Sequence, residues 1–143
     1  MSNDAWLPLF VYGTLKRGEA REGKWPFLPL KVSPATTRAA LYDLGPYPAL
    51  GPGSDVVAGE LWFLAEEHVA ETLRQFDAIE GYQQGGPDLY VRRVIECCDE
   101  EGQTHQAYAY FYANPHWLLG GRRISRQGDG VCRWSARNQR NCQ

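Results

Sequence analysis

The sequence predicts an α+β fold, a curved mixed or antiparallel sheet able to close into a barrel, with one clear helix beside it. Three observations carry that prediction. The apolar segments run strand, strand, strand, helix, strand, strand, without the regular β-α-β alternation of a doubly wound parallel sheet. Nine prolines and fifteen glycines favour short strands and many turns over a helix bundle. Apolar residues make up 43% and charged residues 22% of 143, a globular composition on a chain of single-domain length.

The first strand is expected at 6–12, where Leu7, Leu9 and Val11 alternate with Pro8, Phe10 and Tyr12. Pro8 assigns it to an edge or to the strand's start. Residues 13–30 read as a loop that Trp25-Pro26-Phe27 packs down. A second strand at 36–44 puts Thr37, Ala39 and Leu41 on one face and stops at the turn-rich run GPYPALGPGS. The third, VVAGELWFL, covers 56–64. In AEEHVAETLRQFDAIE the spacing of Val69, Leu73 and Phe76 makes one buried helical stripe, and Gly81 ends the helix. LYVRRVIECC and THQAYAYFYA then form a hairpin across DEEGQ. Tyr108, Tyr110 and Tyr112 share a face of its second strand, where they either line a pocket or pack the sheet. There is no internal repeat.

Charge is unevenly spread. From Gly121 onward six arginines stand against one acid, Asp129, giving +5; the chain's net charge of −2 therefore leaves −7 on residues 1–120. This places a domain at 1–120 and a basic, flexible tail at 121–143, dispensable for the fold; the other reading of such a tail is a contact for an acidic partner. No apolar run reaches transmembrane length and the N-terminus is not signal-like, so a cytoplasmic protein without a membrane partner is expected. Cys97, Cys98, Cys132 and Cys142 contain no C-x-x-C pair, and neither a zinc site nor a disulfide framework is expected. Oligomeric state is left open.

The stretch PLFVYGTLKRGEAREGKW carries the first functional question. Gly13 and Gly18 have phosphate-loop spacing, but a phosphate loop needs lysine and then Ser/Thr after its second glycine. Here Glu19 and Ala20 follow, and an acid there repels phosphate. What remains is a strand ending in a glycine turn. Such a turn is either a plain strand-to-loop connection or a cradle of backbone amides suited to a carboxylate.

Four segments in register bear on that choice. YGTLKRG, YPAL (47–50), VAGELWFL (57–64) and FDAIEGY followed by YVRRVIE resemble the motifs of the γ-glutamylcyclotransferase-like superfamily, which includes the γ-glutamylamine cyclotransferases and AIG2-like proteins. The resemblance spans about residues 9–112 and implies a small β-barrel flanked by helices. It further implies that Tyr12, Gly13, Thr14 and Leu15 bind the glutamyl end of a small-molecule γ-glutamyl substrate, that Glu80 is the catalytic glutamate, and that Tyr90 and Arg92, near the site, join in binding substrate. Past Tyr112 no motif matches.

The implied reaction is intramolecular: the α-amine of a γ-glutamyl group attacks its own γ-carbonyl, closing 5-oxoproline and expelling an amine. One carboxylate can take the ammonium proton and return it to the leaving group, so no metal or cofactor is required. Glu80, just beyond the helix C-terminus, stands where partial negative charge should raise its proton affinity; Asp77, one turn earlier, suits an orienting or capping role. The alternative on the same scaffold is a catalytically silent binding module. Single-stranded nucleic acid binding by aromatics and the arginine tail is disfavoured by the acidic body. His68 and His105 read as surface residues, His116 beside Trp117 stays ambiguous, and a Cys97/His105 dyad competes with plain burial of the thiol.

Overall fold

A computed structural model describes residues 7–44, 48–83, 88–114 and 122–134. Seven strands and one α-helix make up the regular structure of these residues: β1 (Leu9–Val11), β2 (Lys31–Asp43), β3 (Pro48–Phe63), α1 (Glu66–Ile79), β4 (Tyr90–Asp99), β5 (Thr104–Tyr112), β6 (Arg122–Arg123) and β7 (Val131–Cys132), with a 3-10 turn at Glu22–Lys24. The sheet order is β6-β2-β4-β5-β1-β3-β7, and the additional pairing of β2 with β3 closes five of these strands into a barrel. All neighbours are antiparallel except β1–β5 and β3–β7, so the sheet is mixed. Among the described residues the flanking layer is the single helix α1.

Alternation along β1 explains why the chain is buried on both sides there. Leu9 and Val11 face the layer under α1, joining Trp62, Val69, Leu73 and Phe76. Phe10 and Tyr12 face the barrel interior, joining Leu41, Leu50, Val57 and Leu61. The helix stripe read from spacing, Val69, Leu73 and Phe76, is the buried stripe, with Thr72 added. Trp25 closes the loop after β1 onto this layer: its indole stacks on Trp62 at 4.0 Å and donates its N–H to the Leu15 carbonyl at 2.9 Å.

Two expectations are revised. β2 stops at Asp43, just before the turn-rich run, as expected, but the next strand begins inside that run rather than at residue 56. Pro48–Leu50 already belong to β3, and the register slips so that Ala39 faces Asp55 but Ala40 faces Gly51. Pro52, Gly53 and Ser54 are thereby thrown out of the ladder as a bulge, where a missing N–H and a missing side chain cost nothing. Tyr47, expected in the same turn, lies outside the described residues.

The expected domain limit at residue 120 is also not where packing ends. β6 pairs with β2, β7 pairs with β3, Cys132 is fully buried and Trp134 is 1% exposed inside the barrel cluster. Three arginines of this segment meet acids brought near by the fold: Arg122 with Asp43 at 2.6 Å, Arg123 with Asp55 at 2.9 Å and Arg133 with Asp129 at 2.7 Å. Nothing in the spacing of the segment shows this, because two-residue strands carry no readable period.

Truncation after residue 120, or Trp134→Ala, is therefore expected to destabilise the fold. Loss of a buried indole costs about 3–5 kcal/mol, a large part of the roughly 5–15 kcal/mol of a typical domain. Urea denaturation of the two variants beside the full chain measures it, and an unchanged midpoint would contradict it.

Candidate active site

One pocket gathers most of the residues singled out in the sequence. A cavity of about 130 Å³ is lined by Tyr12, Gly13, Thr14, Leu15, Glu80 and Tyr90, together with Tyr110, Arg21, Pro48, Ile79 and Leu89 among others. Its floor is the end of β1, and its walls are the C-terminus of α1 and the start of β4.

The loop 13–16 starts the pocket. Gly13 is required there by close approach: a Cβ would stand 2.5 Å from Pro48 Cγ and 2.8 Å from Cδ. The sequence places a glycine at the turn correctly, but the constraint is the proline of β3 rather than a left-handed backbone. The Lys16 N–H closes the turn onto the Gly13 carbonyl at 3.1 Å, and the Arg21 N–H reaches the Thr14 carbonyl at 2.7 Å. Among the described residues the amides of Thr14 and Leu15 donate to no partner. Lys16 points away from the pocket and donates to the Trp134 carbonyl at 2.6 Å, its pKa pulled below the ordinary lysine value by burial.

Glu80 is set by the way α1 stops. The Tyr82 N–H bonds the Asp77 carbonyl at 2.8 Å and the Gly81 N–H bonds the Ala78 carbonyl at 3.3 Å, with Gly81 at φ +69. This is a Schellman ending, and it needs the left-handed glycine that follows Glu80 in the sequence. The Glu80 N–H is spent on Phe76 at 2.8 Å and its carbonyl accepts from Tyr90 at 3.3 Å. The backbone is thus held at both sides, while the carboxylate has no hydrogen-bond partner among the described residues. Burial pushes its pKa up to about 7, with Arg21 pulling weakly the other way. The expected direction holds; burial, not the helix terminus, is the principal cause.

The tyrosines around it are committed to protein acceptors. Tyr12 donates to the Tyr110 carbonyl at 2.6 Å, Tyr90 donates to the Pro48 carbonyl at 3.0 Å, and Tyr110 donates to Asp77 Oδ1 at 2.6 Å. Burial drives the hydroxyls of Tyr12 and Tyr110 well above the ordinary tyrosine value. Of the pair Tyr90 and Arg92, only Tyr90 lines the cavity. Arg92 Nη1 holds both oxygens of Asp77, at 3.0 and 2.9 Å, so it orients the carboxylate that in turn orients Tyr110. Arg92 is a neighbour of the site rather than a part of its wall. Tyr110, which the sequence leaves between pocket and core, serves both; Tyr108 and Tyr112 pack the sheet.

The remaining candidates separate. Cys97 and His105 are cross-strand partners, but His105 Nε2 bonds Asp99 Oδ2 at 2.8 Å and burial pushes the Cys97 thiol up to about 12. A thiol so protonated is no nucleophile. His68 stacks on Phe27 at 3.8 Å, away from the pocket; His116 lies outside the described residues.

Comparison with known proteins decides the kinship. The model of the γ-glutamyl cyclotransferase, AIG2-like family matches residues 9–135. The chain belongs to the γ-glutamyl cyclotransferase, AIG2-like family. The match runs past residue 112 and includes the β6–β7 segment, in agreement with its packing. Among its relatives, the γ-L-glutamyl-butirosin B γ-glutamyl cyclotransferase of Niallia circulans is 36% identical over 112 residues, covering 77% of this chain and 69% of that one. An AIG2-like protein of Mus musculus has a similar crystal structure, with TM-score 0.56, 26% identity, and coverage of 79% of this chain and 82% of the other. YkqA of Bacillus subtilis shares the fold at TM-score 0.57 and 21% identity over 82% of this chain, which spans only 37% of YkqA. The cyclotransferase family thus accounts for the barrel, the single helix and the motifs on the pocket wall.

Arg21, Pro48, Ile79 and Leu89 of the wall were not singled out as site residues in the sequence. Ile79 and Leu89 are aliphatic and carry no signal of their own, although Leu89 is fixed by its position before the Y-x-R motif. The Gly13 contact generates a test. Gly13→Ala is expected to destabilise the protein by about 1–3 kcal/mol through overpacking, and Pro48→Ala in the same chain is expected to restore most of the loss. Denaturation midpoints of the single and double variants read this; an additive loss would remove the Pro48 contact as the cause.

Proposed function

We propose that this chain releases 5-oxoproline from a γ-glutamyl amine or peptide, with Glu80 as the general acid and base. The observation that supports it most is the carboxylate itself: half-buried, unpartnered among the described residues, with its pKa raised to about 7 and facing a loop of free amides. A general acid–base is most effective when its pKa lies near the working pH.

In this reading the amides of Thr14 and Leu15, with the Thr14 hydroxyl, hold the substrate's α-carboxylate. Glu80 takes a proton from the α-ammonium. The freed amine attacks the γ-carbonyl, and the C–N bond to the leaving amine breaks as Glu80 returns the proton to it. The attacking nitrogen sheds a second proton as it becomes the lactam N–H, and that proton departs on the expelled amine; the products are the lactam and an ammonium, and the carboxylate ends as it began. Tyr12, Tyr90 and Tyr110, committed to protein acceptors, shape the apolar wall that keeps Glu80 dry. The Niallia circulans relative is named for γ-L-glutamyl-butirosin B; in this reading the leaving amine of this chain's substrate lies toward the pocket mouth. Cytoplasmic residence belongs to the same reading and is supported by free thiols at Cys97, Cys98 and Cys132. A small-molecule partner suits the cavity better than a macromolecule, and no described helix is long and apolar enough to cross a membrane.

Glu80→Gln is expected to lower kcat on a γ-glutamyl amine by about 10²–10⁴-fold, the usual contribution of acid–base catalysis, while chelators leave the wild type unaffected. Turnover near normal in that variant would move the acid–base role off Glu80, and no turnover by the wild type on any γ-glutamyl amine would leave the binding-module alternative. The same substitution has a stability signature. The raised pKa means that the folded state retains a proton between roughly pH 4.5 and 7 that the unfolded state releases, so wild-type stability falls as pH rises across that window. Glu80→Gln should therefore gain melting temperature over the wild type at pH 8 relative to pH 5. The same difference at both values would mean that Glu80 is not desolvated.

A further inference from the structure

We propose that Arg21 anchors the α-carboxylate of the substrate, so that Arg21 and Glu80 form a two-ended clamp for a zwitterion. This rests on the cyclotransferase reading and extends it to a residue outside the family motifs quoted above.

The cations of the loop after β1 have different assignments. Lys16 is committed to the Trp134 carbonyl, and Arg17 pairs with Glu60, its Nε 3.6 Å from Oε2. Arg21 is the one that lines the pocket. Its N–H to the Thr14 carbonyl at 2.7 Å holds its backbone against the turn whose amides are free. Half-buried, its guanidinium has no hydrogen bond or ion pair among the described residues. Glu80, on the same cavity, feels its field without contact.

One pocket of about 130 Å³ therefore holds a cation and an anion, neither of them hydrogen-bonded or ion-paired among the described residues. An α-amino acid carries its ammonium and carboxylate on one carbon and satisfies both at once. The guanidinium presents a fork of donors that matches a carboxylate in bidentate fashion, and the neighbouring amides complete the cradle. An uncharged or purely cationic ligand would leave Arg21 buried without compensation.

The other titratable groups facing Glu80 are the hydroxyls of Tyr12 on β1, Tyr90 on β4 and Tyr110 on β5, while Asp77 on α1 is held by Arg92. Removing Arg21 therefore removes the cation that favours the Glu80 carboxylate.

The test compares wild type, Arg21→Gln and Arg21→Lys on γ-glutamyl propylamide and on 4-aminobutyryl propylamide, which lacks the α-carboxylate, scoring release of propylamine. Arg21→Gln should raise KM for the first on the order of 10- to 100-fold, with kcat changed much less. It should leave the already weak second substrate nearly as it was, and Arg21→Lys should recover part of the loss. The acidic limb of kcat/KM should move to higher pH in Arg21→Gln. Equal losses on both compounds, or a penalty confined to γ-glutamylglycine, whose leaving amine carries its own carboxylate, would overturn the assignment. If the wild type releases no amine at all, the cyclotransferase reading fails, and calorimetric titration of the same two amides still reads the clamp. Tighter binding of the carboxylated compound to wild type, lost in Arg21→Gln, supports it; equal affinities overturn it.

Discussion

Every residue of β2 is paired with β3, and the rest of the molecule depends on that one ladder. It converts an open sheet into a ring, and it does so with strands long enough to serve several neighbours. The far edge of β2 binds β4 and then β6; the far edge of β3 binds β7 and then β1. The first residue of β3 is the proline that presses on Gly13 and whose carbonyl receives the Tyr90 hydroxyl. Barrel closure and pocket shape are thus set by the same strand.

The pocket's chemistry follows from an imbalance in partners. Around Glu80 the tyrosine hydroxyls are committed to carbonyls or to Asp77, and Asp77 to Arg92, while the Thr14 and Leu15 amides and the Arg21 guanidinium make no hydrogen bond to its carboxylate among the described residues. A carboxylate that receives no donor among apolar walls has no cheap way to stay ionised, which is why its proton affinity rises. Supplying it with a neutral hydrogen-bond donor would stabilise the anion and blunt it as an acid.

Much of this was legible in the sequence, and the failures have physical causes. The period of Val69, Leu73 and Phe76 gave the helix its buried face, and Glu80-Gly81 could be placed at its end because a left-handed residue follows so often there. The turn at Tyr12–Leu15 was readable as a motif, though the reason for its glycine was not, since Pro48 is a neighbour only in space. β3 looked interrupted because Pro52 and Gly53 are turn formers; a bulge uses the same residues without ending the ladder. Trp134 is buried by a short parallel pairing with no periodicity of its own, and its surrounding arginines read as solvated because the acids they meet, Asp43 and Asp55, are distant in the chain. Arg21 shows only as one cation among several; its lack of a partner is a property of the fold.

The bonds that assemble the pocket join distant parts of the chain. The Tyr12 hydroxyl meets a carbonyl 98 positions later, and Lys16 meets one 118 positions later. A nascent chain emerges at about 5–20 residues per second, so the turn 12–16 waits on the order of ten seconds for the partners that fix it. Through that interval a strand buried on both faces in the finished barrel has neither face covered. The barrel strand made first is among the last to settle, which makes early chaperone capture, rather than early nucleation, the expected fate of β1 during synthesis.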